Sequence, residues 1–191
     1  IWKKPEGYIR ISRRSGVLIQ HPYPMYYYPD NIYEEVVVFR KPGDWVKPPR
    51  SIIEESRIDL VRFQREKWYL NVWDIKNVLP SEKWSKYTAA YPEELVERLI
   101  RLYSYLGEVV LDPFLGTGTT CAVAIRLGRD CVGYEIDLEL MNVIKERLGV
   151  NIHKLIDTVN YEFTTREDAR KLRGKLREEI EKRLAKRNNK G

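Results

Sequence analysis

From Glu108 onwards, short apolar runs alternate with short amphipathic stretches, and this order constrains the fold more than any other feature. The runs EVVLDPF, DCVGYEID and VNYEFTT have the length and composition of strands, whereas TTCAVAIRLG and LELMNVIKERLG look like helices ended by glycine. The amphipathic stretch PEELVERLIRLYSYL, residues 92–106, predicts a helix before the first strand. The order βαβαβ is typical of an α/β protein with a doubly wound parallel sheet, and EVVLDPF is predicted to be a buried strand.

The loop sequence LDPFLGTGTT follows the first of these strands. Asp112 lies at a carboxyl strand end, where parallel sheets bind ligands. Gly116 and Gly118 allow the backbone to approach a ligand closely, and Thr119 and Thr120 fall near the start of the next helix. Such a loop can bind a carboxylate or a phosphate.

Two phosphate-binding patterns fit this loop poorly. A P-loop requires Lys after its second glycine, where Thr119 stands, and a dinucleotide loop requires a third glycine, where Cys121 stands. The charge of Asp112 favours an amine or a cation over phosphate, and Glu135, about 20 residues later, can accept hydrogen bonds from ribose. S-adenosylmethionine combines an amino acid, a sulfonium, a ribose and an adenine. The other interpretation is an ordinary turn with Asp112 capping a strand end.

LDPFLGTGTT, followed by LGRDCVGYEID, resembles the cofactor-binding motifs of amino-methylating DNA methyltransferases. The permuted beta group is the most similar, because the segments IWKK, GVLIQHPYPMYYYPDNIYEEVVVFRKPG, VWDI and YTAAYPEELVERLIRLYS resemble other parts of that group in its order. The resemblance covers about residues 1–150. It implies a Rossmann-like methyltransferase sheet with helices on both faces.

The resemblance also implies S-adenosylmethionine as cofactor and assigns residues to it. The methionine part would be held by Asp112, Pro113, Phe114, Leu115, Gly116, Thr117, Gly118, Thr119 and Thr120. Glu135 would bind the ribose and Ile136 would pack on the adenine. Tyr87 stands where the family often has His, and Asp168 would contact the adenine amine or cap a helix. No metal site is predicted.

The catalytic motif of this family, Asp/Asn/Ser-Pro-Pro-Tyr/Phe, is absent from the sequence. The nearest match, KPPR at 47–50, has basic residues on both sides of its prolines. The resemblance therefore implies that the catalytic residues, and the central strands that carry them, lie upstream of Ile1 or on another chain. We expect that this chain does not form a stable monomeric domain alone. A homodimer is also considered, and the target amine, adenine N6 or cytosine N4, stays open.

The predicted organisation is a partial methyltransferase domain at 1–165 and a charged helix or tail at 166–191. Within the domain, 1–43 holds target-side strands, including EEVVVFRK, and a loop; 44–90 is a variable target-recognition or linker region; and 91–165 binds the cofactor. The net charge is +6, and the tail, with eleven Lys/Arg and five Asp/Glu, accounts for this surplus. A solvated helix is an alternative to a DNA clamp there.

The predicted partner is double-stranded DNA, because the basic and aromatic residues near the amino end suit a flipped base and its strand. The candidates are Trp2, Lys3, Lys4, Arg13, Arg14, Tyr26 and Tyr27. The alternative is that the tyrosines pack in the core or lie on an ordinary surface.

No apolar run is long enough to span a membrane, so a cytoplasmic protein is expected. Cys121 and Cys131 are predicted to be reduced, buried thiols, and a disulfide between them is the alternative. The high content of Lys, Arg and Glu suits a thermophile.

Two other functions are considered: a methyltransferase for RNA or small molecules, and a non-catalytic subunit that binds cofactor or nucleic acid.

Overall fold

The computed structural model describes residues 1–3, 19–26, 32–44, 46–78, 91–150 and 159–165. Within these ranges no helix is both long and apolar enough to cross a bilayer. In chain order the elements are β1 (Trp2–Lys3), β2 (Tyr33–Glu34), α1 (Arg50–Glu55), α2 (Leu60–Arg65), β3 (Trp73–Asp74), α3 (Glu93–Tyr103), β4 (Val109–Asp112), α4 (Thr119–Arg126), β5 (Asp130–Gly133), a 3₁₀ turn at Leu138–Leu140 and α5 (Met141–Leu148).

The strands of the described part form two separate sheets. In the first, β1 lies between β2, which runs antiparallel to it, and β3, which runs parallel. In the second, β4 and β5 pair in parallel, from Val109 opposite Asp130 to Asp112 opposite Gly133. The order β4, α4, β5, α5 agrees with the predicted βαβα pattern, and the α/β class is confirmed.

Helix α3 connects the cores of the two sheets. On one side, Leu95 packs with Trp2 and Ile75, which belong to the β1 region. On the other side, the helix contributes to a cluster with α4 whose buried members are Val96, Ile100, Val123, Ala124 and Leu127. Pro92 is the N-cap of the helix rather than its first residue as predicted, and the helix ends at Tyr103 because Ser104 has an extended backbone. The predicted end at residue 106 was therefore three residues too long.

Residues 46–78 dock on α3 through arginines and tryptophans. The Arg62 guanidinium donates to Glu97 with an Nη1–Oε1 distance of 2.6 Å. The buried Arg98 guanidinium lies 5.5 Å from the ring centre of Trp68 and 5.3 Å from that of Trp73. Such cation–π contacts join a charged helix face to the aromatic side chains of a neighbouring segment.

Several strand predictions are corrected. Strand β2 covers only two residues, and the structure assigns no strand to residues 35–40 of EEVVVFRK or to residues 159–165. Strand β4 is present, but Val109 and Leu111 are 62% and 60% exposed, so it is not buried as predicted. A strand forms only where a neighbour satisfies its N–H and C=O groups, and a continuous apolar run does not supply that neighbour.

The prediction of reduced thiols is also corrected, because Cys121 and Cys131 form a disulfide with a Cα–Cα distance of 5.2 Å. Cys121 lies in the first turns of α4, and Cys131 lies in β5, against which that helix packs. Both side chains belong to the apolar cluster between α4, α5 and β5, which also contains Leu115 and Ile144. Packing of the helix on its sheet therefore brings the two sulfurs together.

Candidate cofactor-binding site

The loop after β4 is fastened to the end of β5 by backbone hydrogen bonds. The amide of Leu115 donates to the carbonyl of Tyr134 at 2.8 Å, and the amide of Tyr134 donates to the carbonyl of Asp112 at 2.9 Å. Gly116 and Gly118 have φ values of 57° and 86°, in the left-handed region that favours glycine. Gly118 is the N-cap of α4 and has no side chain to cap it, so the first-turn amides of α4 are available to a ligand carboxylate.

The carboxylate of Asp112 is buried at the carboxyl end of β4 and organises this loop. Its Oδ1 accepts the amide of Phe114 at 2.9 Å. Its Oδ2 accepts the hydroxyl of Thr120 at 2.6 Å and that of Tyr91 at 3.0 Å. An ionised carboxylate offers about four acceptor positions, so these three bonds leave capacity for an ammonium group.

Glu135, two residues after the end of β5, holds the glycine loop from the other side. Its Oε2 accepts the amide of Gly116 at 2.8 Å, and its Oε1 accepts the amide of Asp137 at 2.7 Å. One acidic side chain thus fixes both the loop and the turn that follows its own strand. The remaining lone pairs of the two oxygens can accept further hydrogen bonds from hydroxyl groups.

Arg147 joins the loop to helix α3. Its Nη1 donates to the hydroxyl of Thr117 at 3.0 Å, and its Nη2 donates to the Glu93 carboxylate at 2.9 Å. Glu93 also accepts from Arg126 at 2.7 Å. Burial raises the pKa of Glu93, but the hydrogen bonds from Arg126 and Arg147 lower it more, so the net pKa lies below the usual value. This network links the loop to the three helices α3, α4 and α5.

A family profile described as DNA methylase, N6_N4_Mtase, matches residues 1–146. The chain belongs to this family. It is 36% identical over 174 residues to the Type II methyltransferase M.MjaI of Methanocaldococcus jannaschii, a match that covers 87% of this chain and 53% of M.MjaI. It is 37% identical over 159 residues to the Type II methyltransferase M.MthZI of Methanothermobacter thermautotrophicus, covering 78% of this chain and 42% of M.MthZI.

The methylase chain also matches a solved structure, that of TTHA0409, a candidate DNA modification methylase from Thermus thermophilus. The TM-score is 0.55 and the identity 36%, over 69% of this chain and 50% of TTHA0409. This methylase chain therefore spans about half the length of the relatives it matches.

The structure brings the central group of predicted cofactor residues of this chain together. Asp112 and the loop up to Thr120 contact Glu135 through Gly116. Phe114 and Ile136 are 85% and 53% exposed beside this loop, so apolar surface is available there. Tyr87 and Asp168 lie outside the described residues, and all of these cofactor contacts remain predictions.

The predicted DNA-side residues are not gathered into one surface within the described ranges. Trp2 is 3% exposed and its Nε1 donates to the carbonyl of Ile75 at 2.9 Å, so the indole belongs to the core and cannot stack on a base in this structure. Lys3 lies at the surface near Asp74, and Tyr26 is 44% exposed. The other candidates, Lys4, Arg13, Arg14 and Tyr27, lie outside the described residues.

Sequence reasoning missed Tyr91 and Arg147. Tyr91 directly precedes the predicted helix start at Pro92. Only this place in the sequence could have indicated that its side chain lies near the strand ends. Arg147 gave no signal, because an arginine near the end of a charged helix is usually solvent-exposed. Contacts across 21 residues for Tyr91 and 30 residues for Arg147 are visible only in the fold.

Proposed function

We propose that this chain forms the cofactor-binding part of a DNA methyltransferase of the restriction-modification type. In this proposal S-adenosylmethionine donates a methyl group to an exocyclic amine, adenine N6 or cytosine N4, of a base flipped out of double-stranded DNA. The observation that carries it is the cluster formed by the glycine loop, Asp112 and Glu135, in a chain that belongs to a DNA methylase family.

The chemistry of this cluster fits the parts of the cofactor. The buried Asp112 carboxylate suits the ammonium of the methionine part, and the α4 amides suit its carboxylate. Glu135, with its two oxygens already oriented by backbone amides, suits the ribose hydroxyls, and the exposed Ile136 suits one face of the adenine. Bound there, the cofactor supplies an electrophilic methyl group on sulfur. The acidic pair disfavours nucleotides with phosphates near the loop.

The residues that activate the target amine are proposed to lie outside this sequence. Support comes from an apolar trough of about 570 Å³ between the two sheets, which a strand-bearing segment could fill. One wall is residues 36–39, of which Phe39 is 88% exposed, and the other is β4 with the exposed Val109. Helix α3 forms the floor through Leu95, Leu99 and Ile100. We expect the occupant to be an upstream segment or a second chain, and a homodimer is an alternative assembly.

Isothermal titration calorimetry tests cofactor binding. The sample is the protein purified from the organism that produces it, which we call the host-made protein. S-adenosylhomocysteine should bind with a dissociation constant in the micromolar range, about −8 kcal/mol, whereas ATP should bind at least about 100-fold more weakly. Equal binding of S-adenosylhomocysteine and ATP, or binding of neither, would contradict the proposed cofactor site.

Methyl transfer is tested with tritiated S-adenosylmethionine and duplex DNA. Enzymatic digestion of the DNA followed by mass spectrometry should show N6-methyladenine or N4-methylcytosine, and this result also decides the target. Methylation of RNA alone would instead support an RNA methyltransferase.

A second candidate is a non-catalytic subunit that binds cofactor or nucleic acid, and the absence of Asp/Asn/Ser-Pro-Pro-Tyr/Phe from the sequence is compatible with it. The two differ in one outcome. The subunit would bind S-adenosylhomocysteine or DNA but transfer no methyl group, even when the host protein is purified with its native partners.

A further inference from the structure

Three oxygen atoms meet at the base of the glycine loop. The hydroxyl of Tyr91 lies 3.0 Å from Asp112 Oδ2 and 2.6 Å from Thr120 Oγ1, and Thr120 Oγ1 lies 2.6 Å from the same Oδ2. All three contacts are within hydrogen-bond distance. The triangle joins the residue before α3, the end of β4 and the first turn of α4.

The two hydroxyls together carry two hydrogens for these three contacts, because an ionised carboxylate has none to give. Thr120 can donate to Oδ2 while Tyr91 donates to Thr120, or Tyr91 can donate to Oδ2 directly. In both arrangements a hydroxyl hydrogen points at Oδ2. The carboxylate group of Asp112 is therefore held by donors on one oxygen and by the Phe114 amide on the other.

The ring of Tyr91 is anchored firmly enough to fix its hydroxyl. It is partly buried and packs against both apolar clusters of α3, one with Val96 and Ile100 and one with Trp2 and Leu95. Burial, together with the negative charge of Asp112, raises the pKa of Tyr91 above its usual value, and the Thr120 bond opposes this only in part. The hydroxyl thus stays protonated, as a donor, throughout the neutral range.

We propose that Tyr91 is a positioning residue: with Thr120, it orients the Asp112 carboxylate toward the ammonium group of the cofactor. This inference rests on the proposed function. Tyr91 would act on the amino acid end of the ligand alone, because its hydroxyl reaches Asp112 and Thr120 rather than Glu135 at the ribose end.

The test compares two ligands that differ at that end. S-adenosylhomocysteine carries the amino acid group, and 5′-methylthioadenosine lacks it. In the host-made protein, Tyr91→Phe should weaken the binding of S-adenosylhomocysteine about three- to tenfold, the range of one ordinary hydrogen bond, because Thr120 and the Phe114 amide still hold Asp112. The binding of methylthioadenosine should stay unchanged. Thr120→Val should give the same pattern, and Thr120→Ser, which keeps the hydroxyl, should restore wild-type binding.

Tyr69→Phe is the matched control, since it removes the hydroxyl of an exposed tyrosine that packs against Phe63, within residues 46–78. It should change neither affinity. A Tyr91→Phe protein that binds both ligands as the wild type does, or loses both equally, would overturn the proposal. If circular dichroism shows that the Tyr91→Phe variant is unfolded, the comparison of Thr120→Val with Thr120→Ser tests the proposal by itself. Wild-type protein that binds neither ligand would refute the proposed function instead.

Discussion

We call residues 91–150 the cofactor part after their proposed role, and we call the described residues within 1–78 the target-side part, which joins the predicted target-side and variable regions. The two parts differ in how far their strands are paired and their apolar side chains are covered. In the cofactor part, β4 and β5 pair over four residues and an acidic side chain holds each end of the loop. On the target side, the described strands are two residues long and the apolar residues 36–39 are exposed. The first part holds its loop with its own residues, although Val109 and Leu111 of β4 stay exposed, whereas the second part presents short strands and exposed apolar residues.

The difference follows from where the stabilising partners lie in the sequence. Asp112, Thr120 and Glu135 are close along the chain, so the cofactor loop can form from one contiguous βαβ unit. Strand β1 pairs with β3, from Trp2 opposite Trp73 onwards, and depends on α3 for its apolar cover. Pairing strands that are far apart in the sequence costs more loop-closure entropy than pairing neighbouring ones. This cost is offset only when the strands that complete the sheet are present.

Loss of the disulfide should cause the largest change in stability, and the change should be confined to the cofactor part. Replacing Cys121 and Cys131 by Ala removes a cross-link between residues separated by 10 positions and should cost about 3 kcal/mol of unfolding free energy. Hydrogen exchange should rise in α4 and β5 and stay unchanged on the target side. The wild-type protein, unfolded without a reducing agent, should show no free thiols. Two free thiols in that sample would mean that the disulfide does not form.

Asp112→Asn should come next, because it keeps the shape of the side chain but removes its charge. We expect a loss of about 2 kcal/mol in the binding of S-adenosylhomocysteine, the scale of a hydrogen bond to a charged group. Calorimetry measures this. Asp74→Asn, on the exposed target side, is the matched control and should bind as the wild type does; equal losses in both variants would remove the distinction between the two parts.

A smaller effect is expected from the acid dependence of the Glu93 network. Because its pKa in the folded state lies below the ordinary value of 4.5, the network stabilises the fold above pH 4.5 and loses this contribution as the pH falls through the folded pKa. Glu93→Gln should therefore flatten the decline of melting temperature below pH 4.5. Glu54→Gln, at an exposed position, should leave the dependence of melting temperature on pH as in the wild type. A Glu93→Gln variant with this same wild-type dependence would contradict the role of the network.

The smallest effect should come from the exposed target side. Phe39→Ser alters a side chain that is 88% exposed, so the unfolding free energy of the 191-residue chain should change by less than about 0.5 kcal/mol. A chemical denaturation curve measures it. If a further segment occupies the trough, the same change should weaken its binding. A large loss in the chain alone would mean that residues 36–39 already belong to its core.

The sequence alone determined the local features of the cofactor part. Continuous apolar runs, glycines and helix-start residues predicted β4, the loop, α4 and β5 in the correct order, because these signals act over a few residues. The position of Asp112 and Glu135 at the same edge of the sheet also followed from that order, since parallel strands place their carboxyl ends at one edge.

Only the tertiary structure decided which distant groups meet. It placed Tyr91 on Asp112, joined Cys121 to Cys131, buried Trp2 against Ile75, and left residues 35–40 without a strand. Each outcome depends on how α3 and α4 pack against the two sheets. No local pattern encodes such contacts, because burial and pairing depend on the surfaces that the rest of the chain presents.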